Sequence, residues 1–134
     1  MQRLKLLFFT LIFLLTSCFQ QKNIEAKGEG EHWKVHIIYE VTDSYLYERG
    51  GIEFKGDEKL TNVKYTVITD NNVSRKGEFY PQENQIAELF ETTVTNHPPT
   101  KNEAISLLNH SYIEITWKTS TGEYQERINL KVSS

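Results

Sequence analysis

Trp33, Val35, Ile37, Tyr39 and Val41 are apolar, and Lys34, His36, Ile38 and Glu40 alternate with them. A period of two sends successive side chains to opposite faces of an extended chain, so this run predicts a half-buried strand. The period returns over residues 60–69, with Val63, Tyr65 and Val67 facing inward, and over 73–80, which Pro81 ends. Residues 45–54 predict another strand, with Arg49-Gly50-Gly51 in its middle. Paired glycines inside a strand pattern indicate a bulge or a tight turn. Near the C-terminus, Ile113, Ile115 and Trp117 share one face of 111–118, and Ile128, Leu130 and Val132 share one face of 124–132. Residues 119–122 read as the turn of that hairpin. Residues 56–59 and 70–72 are turns too, since Asp and Asn tolerate left-handed backbone and bond locally.

Residues 82–109 carry mixed signals. Ile86, Leu89 and Phe90 have helical spacing, whereas Thr92, Thr93, Val94 and Thr95 favour a strand. Pro98-Pro99 breaks whatever precedes it. Thr100-Lys101-Asn102-Glu103 has the form of a capping box, so a short helix through Ala104, Ile105, Leu107 and Leu108 is expected behind it. About seven strands with turns every 8–12 residues predict an all-β fold, an immunoglobulin-like two-sheet β-sandwich in the broad sense. The cysteine pair that joins the sheets of antibody domains is absent, so the likeness is one of architecture.

The N-terminus follows another pattern. Arg3 and Lys5 precede Leu6–Leu15, which reads LLFFTLIFLL, and Thr16, Ser17 and Cys18 follow. A basic start, an apolar run and a small-residue exit describe a secretory signal peptide. Ten residues are too few to cross a bilayer, which needs about 20. Leu15-Thr16-Ser17-Cys18 resembles the lipobox of bacterial lipoproteins. That resemblance implies cleavage between Ser17 and Cys18 and a lipid on the Cys18 sulfur, with the product held outside the cell membrane. Two acyl chains hold a protein stably where one gives only marginal binding, at about 0.8 kcal/mol per buried CH₂. The layout beyond the lipobox is similar to small lipoproteins of Gram-positive bacteria with no assigned activity, through Gly28–Val35, Gly51–Gly56 and Ile115–Lys118. It implies location and a β-sandwich and lends no reaction.

The implied organisation is a signal peptide over 1–17, a lipidated flexible tether over 18–31 and a β-sandwich domain over 32–134. The tether, FQQKNIEAKGEGE after Cys18, is polar and lacks apolar periodicity. Removing residues 1–17 takes away Arg3 and Lys5 and no acid, which moves the net charge from −3 to −5. With the only cysteine acylated, disulfides, thiolate catalysis and cysteine-held metals are ruled out for the mature chain. An acidic balance without a basic patch argues against nucleic acid, and against electrostatic attachment to anionic lipid, leaving Cys18 as the sole membrane anchor.

Candidate chemistry is sparse. His32 and His36 have metal-ligand spacing on a helix, but on a strand they stand about 13 Å apart, too far for one ion. His97 and His110 have no partner signature, no serine lies in a G-x-S-x-G context, and no phosphate-binding glycine motif occurs. Asp43, Asp57, Glu58, Asp70 and Glu83 fall in turns; clustered loop carboxylates can bind calcium, but without a D-x-D-x-D run they read as turn formers. No metal or cofactor is expected. Among the aromatics, Trp33 and Trp117 read as core, while Tyr45, Tyr47 and Arg49 alternate on one strand face beside Gly50-Gly51. Tyr and Arg are favoured in recognition surfaces, which makes these three a candidate partner surface. The expectation is a non-catalytic binding or interaction module of the cell envelope with an unidentified protein or envelope ligand. The alternatives are an envelope-polymer hydrolase and an accessory subunit of a membrane transporter or sensor.

Overall fold

A computed structural model describes residues 23–81 and 86–133. The signal segment, Cys18, the start of the tether and Glu83 lie outside the described residues. Among the described residues, nine strands and one helix follow in chain order: β1 (Ile24–Glu29), β2 (Trp33–Val41), β3 (Leu46–Phe54), β4 (Asn62–Thr69), β5 (Asn72–Phe79), β6 (Ile86–Val94), α1 (Lys101–Asn109), β7 (Ser111–Thr119), β8 (Gly122–Asn129) and β9 (Lys131–Val132). They form two antiparallel sheets, ordered β6-β3-β2-β1-β9 and β5-β4-β7-β8. The all-β two-sheet sandwich expected from the alternation is what forms.

The inward sets meet between the sheets. Trp33, Val35, Ile37 and Tyr39 from β2 and Leu46, Ile52 and Phe54 from β3 face Val63, Tyr65 and Val67 from β4 and Ile113, Ile115 and Trp117 from β7. At one end the core is aromatic. Trp33 lies 5.0 Å from Phe54 and 5.7 Å edge-on to Trp117, and Tyr124 stacks on Trp117 at 5.7 Å. Such pairs contribute about 0.5–1.5 kcal/mol each beyond their buried area. The other end, which holds Ile24, Tyr39 and Leu46, is closed by α1, which inserts Ala104 and Leu108 into the core.

Three expectations are corrected. The tether assigned to 18–31 contains β1, which lies between β2 and β9 inside the five-stranded sheet. Ile24 and Ala26 are buried and Glu25, Lys27 and Glu29 point outward, an alternation too short and too polar to stand out. Two extra strands replace the count of about seven: β1, and β9, because the last strand divides at Leu130. Asn129 ends pairing with β7, and Lys131 begins pairing with β1 in the other sheet. Val132 therefore leaves the face it was expected to share with Ile128 and Leu130. Residues 86–94 resolve as a strand, since β3 offers a free edge that a helix could not satisfy.

Turn and cap chemistry follows the sequence. Asp70 and Asn71 both take positive φ, 50° and 62°, in the two-residue β4–β5 hairpin loop, as a primed turn requires. Thr100 Oγ1 accepts from the Glu103 N–H at 3.3 Å, and Glu103 Oε2 accepts from the Thr100 N–H at 2.9 Å. Gly50-Gly51 marks a bulge: β6 holds Leu89 as an extra residue where β3 passes from Gly50 to Gly51. The two glycines serve opposite faces. A Cβ on Gly50 would come 2.8 Å from the Phe90 ring in the core, and one on Gly51 would come 2.6 Å from the His36 ring outside.

Candidate functional site

On its outer face, β3 lies between β2 and β6. Tyr47 stands opposite Glu40 and Thr93, and Arg49 opposite Ile38 and Glu91. His36 lies over Gly51, whose missing side chain leaves the sheet surface low. His36, Ile38, Tyr47, Arg49, Glu88 and Glu91 line a shallow depression of about 580 Å³ there. A second, of about 590 Å³, continues across β1 and β2 between Glu25, Lys27, Glu29, Lys34 and Glu53, and the two share His36. Together they make a band with more carboxylates than cations across four strands. Cross-strand opposition organises it: Lys34 stands between Glu29 and Glu53, and Glu29 is also held by the Lys55 ammonium at 2.8 Å. That hydrogen bond, with the Lys55 charge, keeps the Glu29 carboxyl below its ordinary range.

Of the three residues proposed from sequence, Tyr47 and Arg49 come together in this depression. Tyr45 precedes β3 in the β2–β3 turn, where its N–H donates to Thr42 Oγ1 at 3.1 Å, and it does not line the depression. The two expected strand histidines separate as well. His36 stays on the outer face, whereas His32 precedes β2 and lies against Trp117 at 5.2 Å. No group of three or more His, Cys, Asp or Glu suited to a metal ion occurs among the described residues.

Two polar constellations were missed from sequence. Glu48 faces the core, 7 % exposed, and accepts from Arg75 of β5 and from Thr92 Oγ1 of β6 at 2.8 Å. Arg75 also donates to Thr92 Oγ1 at 2.9 Å and lies over the Phe90 ring at 5.8 Å. The ion pair thus ties the two sheets near their β5 and β6 edges. Beside it, burial first and the Glu48 charge second push the Tyr39 phenol well above the ordinary tyrosine range. Tyr65 is raised too, by burial, and its hydroxyl donates to the Leu89 carbonyl at the bulge at 2.9 Å. The only sequence signal for the pair is Glu48 falling on the inward parity of β3.

The second constellation is Glu126. Its carboxylate accepts from the Glu31 N–H at 2.6 Å and the His32 N–H at 3.2 Å, and approaches His32 Nδ1 at 3.7 Å. One side chain from β8 thereby fixes the β1–β2 loop. Nothing in the local sequence of β8 indicates that role, because its partners lie more than ninety residues away.

No helix among the described residues is long and apolar enough to cross a membrane. Comparison with protein-family models, with curated proteins and with solved structures found no match to this chain.

Proposed function

We propose that this chain is a lipid-anchored binding module of the cell envelope. It acts without catalysis and contacts its ligand through the outer face of the five-stranded sheet. The anchor rests on Leu15-Thr16-Ser17-Cys18. The binding reading rests on one observation: Tyr47, Arg49 and His36 converge around a glycine floor in a broad, shallow depression. An aromatic ring, a guanidinium and an imidazole give stacking, bidentate donation and a further hydrogen-bonding group to one extended ligand. Shallowness suits a polymer or a protein surface, which is gripped along its length. An immunoglobulin-like architecture, in the broad sense of a two-sheet sandwich, is part of this proposal, supported by the two facing antiparallel sheets.

The test is retention of envelope polymers and proteins on the immobilised mature domain, compared with a Tyr47→Ala/Arg49→Ala variant. Both side chains lie on the outer face, so the fold should persist. Loss of a micromolar interaction in the variant is the expected result. An interaction of equal strength in both would remove this face from the proposal.

A further inference from the structure

We infer that the α1 end of the sandwich is the surface that faces the bilayer, opposite the headgroups of the lipids that carry the anchor. The inference rests on the lipid-anchor reading. Only residues 19–23 separate Cys18 from Ile24, the first residue of β1. Six residue steps span at most about 20–22 Å however the chain runs. The finding that β1 belongs to the sheet is what makes this leash short; a tether ending at residue 31 would have set no orientation.

The place where the leash joins the fold is fixed. Ile24 pairs with Tyr39, near the last residue of β2, and so lies at the end holding the β2–β3 turn. The same end carries the Asp70-Asn71 turn, since Thr69 pairs with Ser111 at the start of β7. It carries α1, which enters after β6 and leaves directly into β7. The C-terminal strand is tied there as well, because the Val132 N–H donates to Asn109 Oδ1 at 2.8 Å. The aromatic end lies a strand length away, about 27 Å for nine residues. Trp33 begins β2 and Trp117 lies near the end of β7, so both sheets agree on which end is distant.

The chemistry of the near end suits a hydrated headgroup layer. Lys101, Asn102, Glu103, Ser106, Asn109 and His110 are exposed on α1, with Asp43 and Asp70 in the flanking turns. Both signs of charge are present, and Val73, just past the Asp70-Asn71 turn, is the one exposed large apolar side chain at this end among the described residues, so the contact with the headgroup layer is mainly polar. The acid-rich outer face of the five-stranded sheet is repelled by anionic lipid. That disfavours a domain lying on this face and leaves its depressions open to a ligand.

The experiment uses the lipidated full chain in vesicles whose headgroups carry a paramagnetic quencher. With the native cysteine acylated, Ser106→Cys on α1 and Ser120→Cys in the β7–β8 turn each give one reactive thiol for a fluorophore; both positions are exposed. Quenching at position 106 should be several-fold stronger than at 120. Equal quenching, or stronger quenching at 120, in chains that float with the vesicles overturns the orientation and leaves the anchor intact. Chains that fail to float and carry no lipid on Cys18 overturn the anchor reading, and the orientation with it.

Discussion

Among the described residues, Glu48 is the one charged side chain that is buried. A carboxylate inside a sandwich is tolerated only with charge and hydrogen-bond partners, and Arg75, Thr92 and Tyr39 supply them. Glu48→Gln should cost about 2–3 kcal/mol, toward the low end for a broken buried pair because Arg75 keeps 33 % of its side chain exposed. A Glu48→Leu/Arg75→Met variant should recover most of that loss, since apolar replacement removes both desolvation costs. Urea unfolding measures both; a double variant as unstable as Glu48→Gln would refute this account. Tyr39 adds a pH dependence. Its folded pKa is raised above the unfolded value of 10.0, so its contribution is whole below about pH 10 and is lost as pH rises toward the folded value. Tyr39→Phe should therefore flatten the fall in stability above about pH 10, read from urea midpoints, while weakening the protein at pH 8 by about 1 kcal/mol for the lost hydrogen bond.

Among the elements, α1 and β1 depart most from their neighbours. α1 has nine residues, too few to be stable alone in water, so it depends on its cap and on the two side chains it buries. Thr100→Ala removes the side-chain half of the capping box and should cost about 1 kcal/mol with an unchanged denaturant slope. β1 is held on both sides, and at Gly28 it passes close to the β8–β9 crossing. A Cβ there would come 2.5 Å from the Asn129 carbonyl oxygen and 2.6 Å from Ile128 Cγ2. Because the first obstacle is backbone, Gly28→Ala should destabilise by about 1–3 kcal/mol. A hydrogen-exchange map should place the loss in β1 and β9; unchanged protection there would count against the close approach. These two elements also differ in legibility. The cap of α1 is a four-residue pattern read directly from Thr100 and Glu103. β1 is invisible because its alternation covers six residues with a glycine near its end; all six pair with the adjacent β2, and only its other edge is met by β9, a hundred residues later.

At the scale of the molecule, the aromatic and helix-capped ends give the sandwich a direction, and under the proposed anchor the short leash would orient it. Cys18→Ala should abolish lipid labelling and release the protein from the membrane. Fractionation and metabolic labelling with a fatty acid check this, and unchanged membrane retention would sink the anchor. The candidate face is likewise a property of the whole. Tyr47 and Arg49 share a strand face in the sequence, but His36, Ile38, Glu88 and Glu91 join them only through the pairing of β2, β3 and β6.

By itself the sequence determined the features encoded within a few residues: the alternation of β2, β4 and β7, the Asp70-Asn71 turn, the capping box before α1, and the glycine pair that accompanies a bulge. Each is a local preference of backbone or side chain and needs no distant partner. Tertiary structure alone decided that β1 belongs to the sheet, that residues 86–94 extend rather than coil, and that the last strand changes sheets at Leu130. It also decided that Glu48 and Glu126 are held by partners from other strands. These outcomes depend on hydrogen-bonding edges and buried charges that must be satisfied by whatever the fold brings near, and sequence spacing does not specify which groups those are.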